Sequence, residues 1–115
     1  MLTPTKLALL FSEAAASDNR QAFVSDWALS SMWGDPEDRE TIPQERIDFL
    51  DRLWIVSGWG VSEICFRAAI NIRQLEAITL TPYRTLLRWN SEDEKFSARE
   101  RFLILSHLGL LPKLE

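Results

Sequence analysis

Two arginines, Arg84 and Arg88, lie four residues apart in the stretch INIRQLEAITLTPYRTLLRWNS, which covers residues 70 to 91. On a helix this spacing puts both side chains on one face. A guanidinium group can donate two parallel hydrogen bonds to a phosphate group or to the edge of a guanine. The pair is therefore the sharpest candidate for binding a polyanion. The alternative is that the two arginines pair with Glu92 or with the acidic N-terminal half of the chain.

Residues that usually carry catalysis or bind metals are few. Because the chain has one cysteine, Cys65, and one histidine, His107, it offers neither an intramolecular disulfide nor a ligand set for zinc or iron. The acidic residues between positions 35 and 40 could form an acid–base pair, but such a run is more typical of a solvated surface. The sequence has no phosphate loop, nucleophile elbow or metal motif. We therefore expect neither an enzyme nor a cofactor.

Two short helices joined by a tight turn must position the arginine pair. Asn71 can cap the first helix, and Leu75 with Ile78 gives that helix an inward face. The segment Leu80-Thr81-Pro82 ends it, since proline lacks an N–H group and disfavours helical geometry at the residue before it.

The second helix is expected to start near Pro82, because proline is preorganised for the first turn of a helix. Within it Leu86 and Trp89 can face inward. Thr85 and the arginine pair then project from the opposite side, which could meet phosphate.

This arrangement resembles the helix-turn-helix of the phage-repressor (Cro-like) family over roughly residues 61 to 111. In that family a positioning helix, a short turn and a recognition helix ending in an aromatic residue recur at this length. The resemblance implies double-stranded DNA binding, with Leu75 in the core of the positioning helix and Leu86 and Trp89 as the inward pair of the recognition helix. The DNA-binding residues that we predict are Arg73, Tyr83, Arg84, Thr85, Leu87 and Arg88.

The sequence departs from the family pattern at three places. Glu76 stands where the family usually has alanine, and Leu80 replaces the usual turn glycine. Residues 91 to 94, Ser-Glu-Asp-Glu, follow the second helix where basic residues are common, and their charge would repel phosphate. Tyr83 and Leu87, one turn apart, also suit a protein contact. These features favour a second hypothesis, in which the helix-turn-helix shape serves protein binding.

The rest of the sequence predicts helices and no strands. We expect helices from Thr3-Pro4, from a Ser17 cap to about Trp33, from Pro43, from Val61, and from a Ser97 cap to Gly109. Between them, the polar residues 35 to 41 predict an exposed loop. The predicted fold class is all-α, with a helix-turn-helix core of about four helices (57–115) and an N-terminal three-helix extension (1–56) packed on it.

Charge differs between the two predicted regions. Residues 1–56 hold five basic and ten acidic residues, whereas residues 57–115 hold eight basic and seven acidic ones. No apolar stretch approaches the roughly 20 residues that a membrane span needs. The primary hypothesis is a cytoplasmic transcriptional regulator that binds DNA as a homodimer. The alternative is a protein–protein interaction module, such as a phage or mobile-element inhibitor (anti-CRISPR-type) of a host nucleoprotein.

Overall fold

The computed structural model describes residues 2–36 and 41–114, and these residues are all-α. The α-helices are α1 (Pro4–Ala16), α2 (Arg20–Ala28), α3 (Gln44–Ser57), α4 (Val61–Ala68), α5 (Ile72–Thr79), α6 (Tyr83–Asn90) and α7 (Ala98–Leu108), and a short 3-10 helix covers Ser31–Trp33. The predicted all-α class is confirmed. The acidic residues predicted in the loop, Glu37, Asp38 and Glu40, lie outside the described residues.

The chain divides into two units, one of Met1–Ser57 with Pro112–Glu115 and one of Gly58–Leu111. In the first unit, α1 and α2 both pack on α3. Its core is aliphatic and aromatic, with these residues buried: Leu10, Phe11, Ala14, Phe23, Ala28, Phe49, Leu50, Leu53 and Val56. The predicted assignment of separate roles to residues 1–56 and 57–115 stays a prediction.

The predicted helix from Ser17 to Trp33 is wrong in its bounds. Ser17 ends α1, and the Asn19 side chain caps α2 by accepting a hydrogen bond from the Ala22 N–H. α2 ends at Ala28, and Ser30 then accepts a hydrogen bond from the Met32 N–H to begin the 3-10 helix. Asparagine and serine side chains that accept hydrogen bonds from the backbone compete with helical hydrogen bonding. The caps at Asn19 and Ser30 therefore divide one periodic stretch into two elements.

Arg46 on α3 is a buried arginine whose hydrogen-bonding capacity is met within the first unit. Only 7% of the residue is exposed. Its Nη1 and Nη2 donate to the two carboxylate oxygens of Asp35 at 2.6 and 2.7 Å, and Nη1 also donates to the Ala28 carbonyl at 3.0 Å. The guanidinium lies 4.6 Å from the centre of the Trp33 ring. The hydrogen bonds to Asp35 raise the pKa of Arg46.

The second unit contains α4 to α7, and its caps agree with those predicted. Asn71 accepts a hydrogen bond from the Gln74 N–H, and the Gln74 side chain accepts one from the Asn71 N–H. Ser97 caps α7, which Gly109 ends in the left-handed conformation. The buried residues of this unit are Val61, Ile64, Cys65, Leu75, Leu86, Phe96, Ile104 and Leu105. The prediction of an inward Ile78 is wrong, because this side chain is exposed.

Candidate nucleic-acid interface

A three-residue turn sets the direction of α6 relative to α5. Leu80 ends α5 with φ of +57°, so it takes the left-handed conformation that usually favours glycine. Its side chain is 87% exposed, and the strain of this conformation is of the order of 1–2 kcal/mol. Pro82 has φ of −55° and directly precedes α6. The turn predicted from Leu80 to Pro82 is therefore present, and a leucine takes its left-handed position.

Glu76 links α5 to the beginning of α6. Its Oε2 accepts a hydrogen bond from the Tyr83 N–H at 2.8 Å, and this N–H is one of the donors left free at the start of a helix. Its Oε1 lies 3.4 Å from Nη1 of Arg73. The Arg73 guanidinium in turn lies 3.6 Å from the centre of the Tyr83 ring. Glu76, a residue of α5, therefore caps α6.

The predicted contact residues fall into two groups. Arg73 and Tyr83 contact each other and share Glu76, so they support the junction between α5 and α6. Arg84, Leu87 and Arg88 are exposed on α6 and Thr85 is half-buried, whereas Leu86 on the opposite side is fully buried. Within the described residues of 58–111, the Arg84 and Arg88 side chains have no hydrogen bond or ion pair. The predicted alternative of a pairing with Glu92 is therefore not observed.

An aromatic stack holds the last turn of α6. The Trp89 and Phe96 rings stack with their centroids 4.8 Å apart. The Arg101 guanidinium lies 4.7 Å from the centre of the Phe96 ring, and it donates hydrogen bonds to the Trp59 carbonyl at 2.7 Å and to the Phe96 carbonyl at 3.2 Å. Burial lowers the pKa of Arg101. These contacts fix Trp89, the predicted inward aromatic residue, against the segment that leads into α7.

The end of α6 is also tied to the beginning of α4. Asn90 Oδ1 accepts hydrogen bonds from the Ser62 N–H at 3.1 Å and from the Ser62 hydroxyl at 2.6 Å. α4 has no side-chain cap of its own at Gly60, so Asn90 supplies one from another helix. α6 is thus held at both ends, by Glu76 at the beginning and by Asn90 at the end.

An acidic turn follows α6 directly. The N–H groups of Ser91, Glu92 and Glu94 donate to the carbonyls of Leu87, Trp89 and Arg88 respectively. Residues 91 to 94 are all exposed, and Glu92 has φ of +64°. The backbone therefore fixes the acidic turn at the end of α6. Its negative charge lies close in sequence to the positive charge of Arg88.

The supporting residues that were not predicted include Glu76, Asn90 and Arg101. Glu76 was recognised in the sequence only as a departure from the family pattern, and that departure was the signal that could have identified a cap. Arg101 gave no signal, because its acceptors are backbone carbonyls of Trp59 and Phe96. Among the described residues no group of three or more metal-ligating side chains is present, and no helix is long and apolar enough to cross a membrane.

In comparisons with protein-family models, with curated proteins and with solved structures, nothing matches this chain. The resemblance to the Cro-like family therefore stays a prediction that rests on the residues of α5, the turn and α6.

Proposed function

We propose that the unit Gly58–Leu111 binds double-stranded DNA, with α6 as the recognition helix. The observation that carries this proposal is the exposed face of α6, on which Arg84 and Arg88 have no partner in the described part of this unit. Two cations held on one helix without a counter-charge favour an anionic ligand.

The dimensions of α6 suit a DNA groove. An α-helix with its side chains is about 10–12 Å across, and the major groove of B-DNA is about 12 Å wide. The buried face of α6 rests on the unit's own core through Leu86, and its two ends are held by Glu76 and Asn90. A short helix that is fixed in this way can present side chains to base edges without losing much conformational entropy on binding.

The acidic turn limits how the protein can bind. Glu92, Asp93 and Glu94 repel phosphate, so binding that depends on charge alone is expected to be weak. Base contacts from α6 must then supply much of the affinity. Because one recognition helix reads only a few base pairs, the proposal includes a homodimer on a two-fold site and a role as a transcriptional regulator in the cytoplasm.

The test is fluorescence anisotropy with mixed-sequence duplex DNA at low and at physiological salt. We expect binding that weakens as salt rises, and an Arg84→Ala, Arg88→Ala double variant that binds more weakly and depends less on salt. The matched control is the Arg52→Ala, Arg99→Ala double variant, which removes the same charge at two exposed positions outside α6. Binding that is absent at low salt, or that salt does not change, would contradict the proposal.

The second candidate function is a protein–protein interaction module, such as a phage or mobile-element inhibitor of a host nucleoprotein. The observation that favours it is the number of large apolar side chains exposed in this unit, among them Phe66 at 74% and Leu80 at 87%. Affinity purification of the tagged chain tests it. We expect a stoichiometric protein complex that a Phe66→Ser or Leu80→Ser variant loses and that a Leu29→Ser control, at an exposed position of the first unit, retains. A chain that binds DNA and recovers no such complex would exclude this candidate.

A further inference from the structure

The exposed face of α6 combines two cations with one aliphatic group. Arg84, Leu87 and Arg88 occupy positions i, i+3 and i+4, so their side chains are neighbours on the helix surface. Leu87 is 39% exposed although the buried Leu86 beside it packs completely into the core. The face therefore offers two bidentate donors with an apolar group between or beside them.

Each of these groups matches a distinct feature of the major groove. Arginine donates in bidentate fashion to O6 and N7 of guanine, and apolar side chains contact the C5-methyl group of thymine. Neighbouring side chains four residues apart are about 6 Å apart, which corresponds to roughly two base-pair steps of 3.4 Å.

The same face lacks the groups that read the other bases. Asparagine and glutamine recognise adenine in bidentate fashion, and carboxylates accept from cytosine. No such side chain accompanies Arg84, Leu87 and Arg88 on the exposed face. Asn90, the one amide of α6, already uses its Oδ1 to accept two hydrogen bonds from Ser62.

We infer that α6 selects a half-site with two guanines within about two base-pair steps and a thymine beside them, and that Leu87 is the residue that specifies the thymine. This inference rests on the proposed function, because it identifies the class of DNA sequence that the same helix would read. Arg84 and Arg88 supply the guanine preference, and Leu87 supplies a preference for the thymine methyl group.

The experiment begins with selection of binding sites by the full chain from a random-sequence duplex library. We expect the enriched sequences to share guanines and an adjoining thymine. The preferred duplex is then synthesised with deoxyuridine in place of that thymidine, which removes only the methyl group. Affinity of the wild-type protein should fall about fourfold, because burial of one methyl group changes an equilibrium constant by about that factor.

Protein variants assign the effect to a residue. In Leu87→Ala the thymine and uracil duplexes should bind equally, whereas Leu103→Ala, which truncates an exposed leucine on α7, should keep the wild-type difference. Arg84→Ala and Arg88→Ala should each lose preference for one guanine by about tenfold or more. Circular dichroism of each variant is the control for folding, and it should show the wild-type helix content.

The outcomes separate this inference from the function on which it rests. Binding that is specific but equal for the thymine and uracil duplexes overturns the role of Leu87 and leaves DNA binding intact. Enriched sites without shared guanines overturn the roles of Arg84 and Arg88. No binding to any duplex at low salt overturns the proposed function, and this inference with it.

Discussion

Arg46 and Arg101 on the one hand, and Arg84 and Arg88 on the other, show two uses of the same side chain. Arg46 has both carboxylate oxygens of Asp35, the Ala28 carbonyl and the Trp33 ring around it. Arg101 has two backbone carbonyls and the Phe96 ring. The two arginines of α6 are exposed, and their side chains have no partner among the described residues of their unit.

The difference separates arginines that support the fold from arginines that stay hydrated on the surface. A guanidinium removed from water needs acceptors and a ring to compensate for its desolvation, and the fold supplies them to Arg46 and Arg101. An arginine that keeps its hydration needs no such support and remains free to exchange water for a ligand. Substitutions should therefore alter stability at the first pair and binding at the second.

The largest effect on stability is expected from Arg46→Ala. The substitution removes the hydrogen bonds that Arg46 donates to the Asp35 carboxylate and to the Ala28 carbonyl, and we expect the free energy of unfolding to fall by about 3 kcal/mol. Urea denaturation followed by circular dichroism measures it. Arg52→Ala on the exposed side of the same helix is the control and should change little. If Arg46→Ala and Arg52→Ala lose the same free energy of unfolding, the buried arginine stabilises the fold no more than the exposed one.

Arg101→Met should have the next largest effect. Methionine keeps much of the packing on Phe96 but leaves the Trp59 and Phe96 carbonyls without a donor, so we expect a loss of about 2 kcal/mol. The same denaturation experiment applies, with Arg99→Met as the control on α7. If Arg101→Met unfolds at the same urea concentration as the wild type, Arg101 does not stabilise the fold as Arg46 is expected to do.

Glu76 extends the comparison to the second unit, because it forms an ion pair with Arg73 and none with Arg84. Glu76→Ala removes the acceptor of the Tyr83 N–H at the start of α6 and should cost about 1 kcal/mol in the free energy of unfolding. Glu76→Gln keeps a side-chain oxygen and should lose less. Thermal unfolding of the two variants measures the difference, and identical losses would show that Glu76 does not act as a cap.

The smallest effect is expected from Asp51→Asn, which tests an arginine that is paired but exposed. The hydrogen bond from Arg20 holds the pKa of Asp51 below its ordinary value of 3.8. A lowered pKa in the folded state stabilises the fold above the ordinary value, and this contribution is lost as pH falls through the lowered pKa. Wild type should therefore be slightly more stable than the variant at neutral pH, and equal to it in urea titrations at a pH below the lowered pKa of Asp51. A difference that persists at low pH would contradict this assignment.

Local signals in the sequence predicted most of the second unit. The Asn71 and Ser97 caps, the Gly109 end of α7 and the burial of Leu75 and Leu86 each depend on a few neighbouring residues. Such signals do not require knowledge of which helices meet, and this is why they could be predicted from one sequence.

Features that depend on distant residues could not be predicted. Arg46 is buried because Asp35 and the Ala28 carbonyl lie beside it, and nothing in the sequence around Arg46 indicates those partners. Ile78 shares the period of an inward face, but Leu75 is the one residue of α5 that the neighbouring helices bury. The site residues of α6 were placed on an exposed face by periodicity, and whether they bind DNA stays a prediction.

The acidic turn after α6 also has an evolutionary consequence. Glu94 is exposed, so its side chain can change at little expense to the fold, while its backbone N–H keeps the turn bonded to α6. A single-nucleotide change converts a glutamate codon to a lysine codon and shifts the local charge by two. One mutational step can thus change the charge at the end of α6 by two while the backbone hydrogen bond that holds the turn is kept.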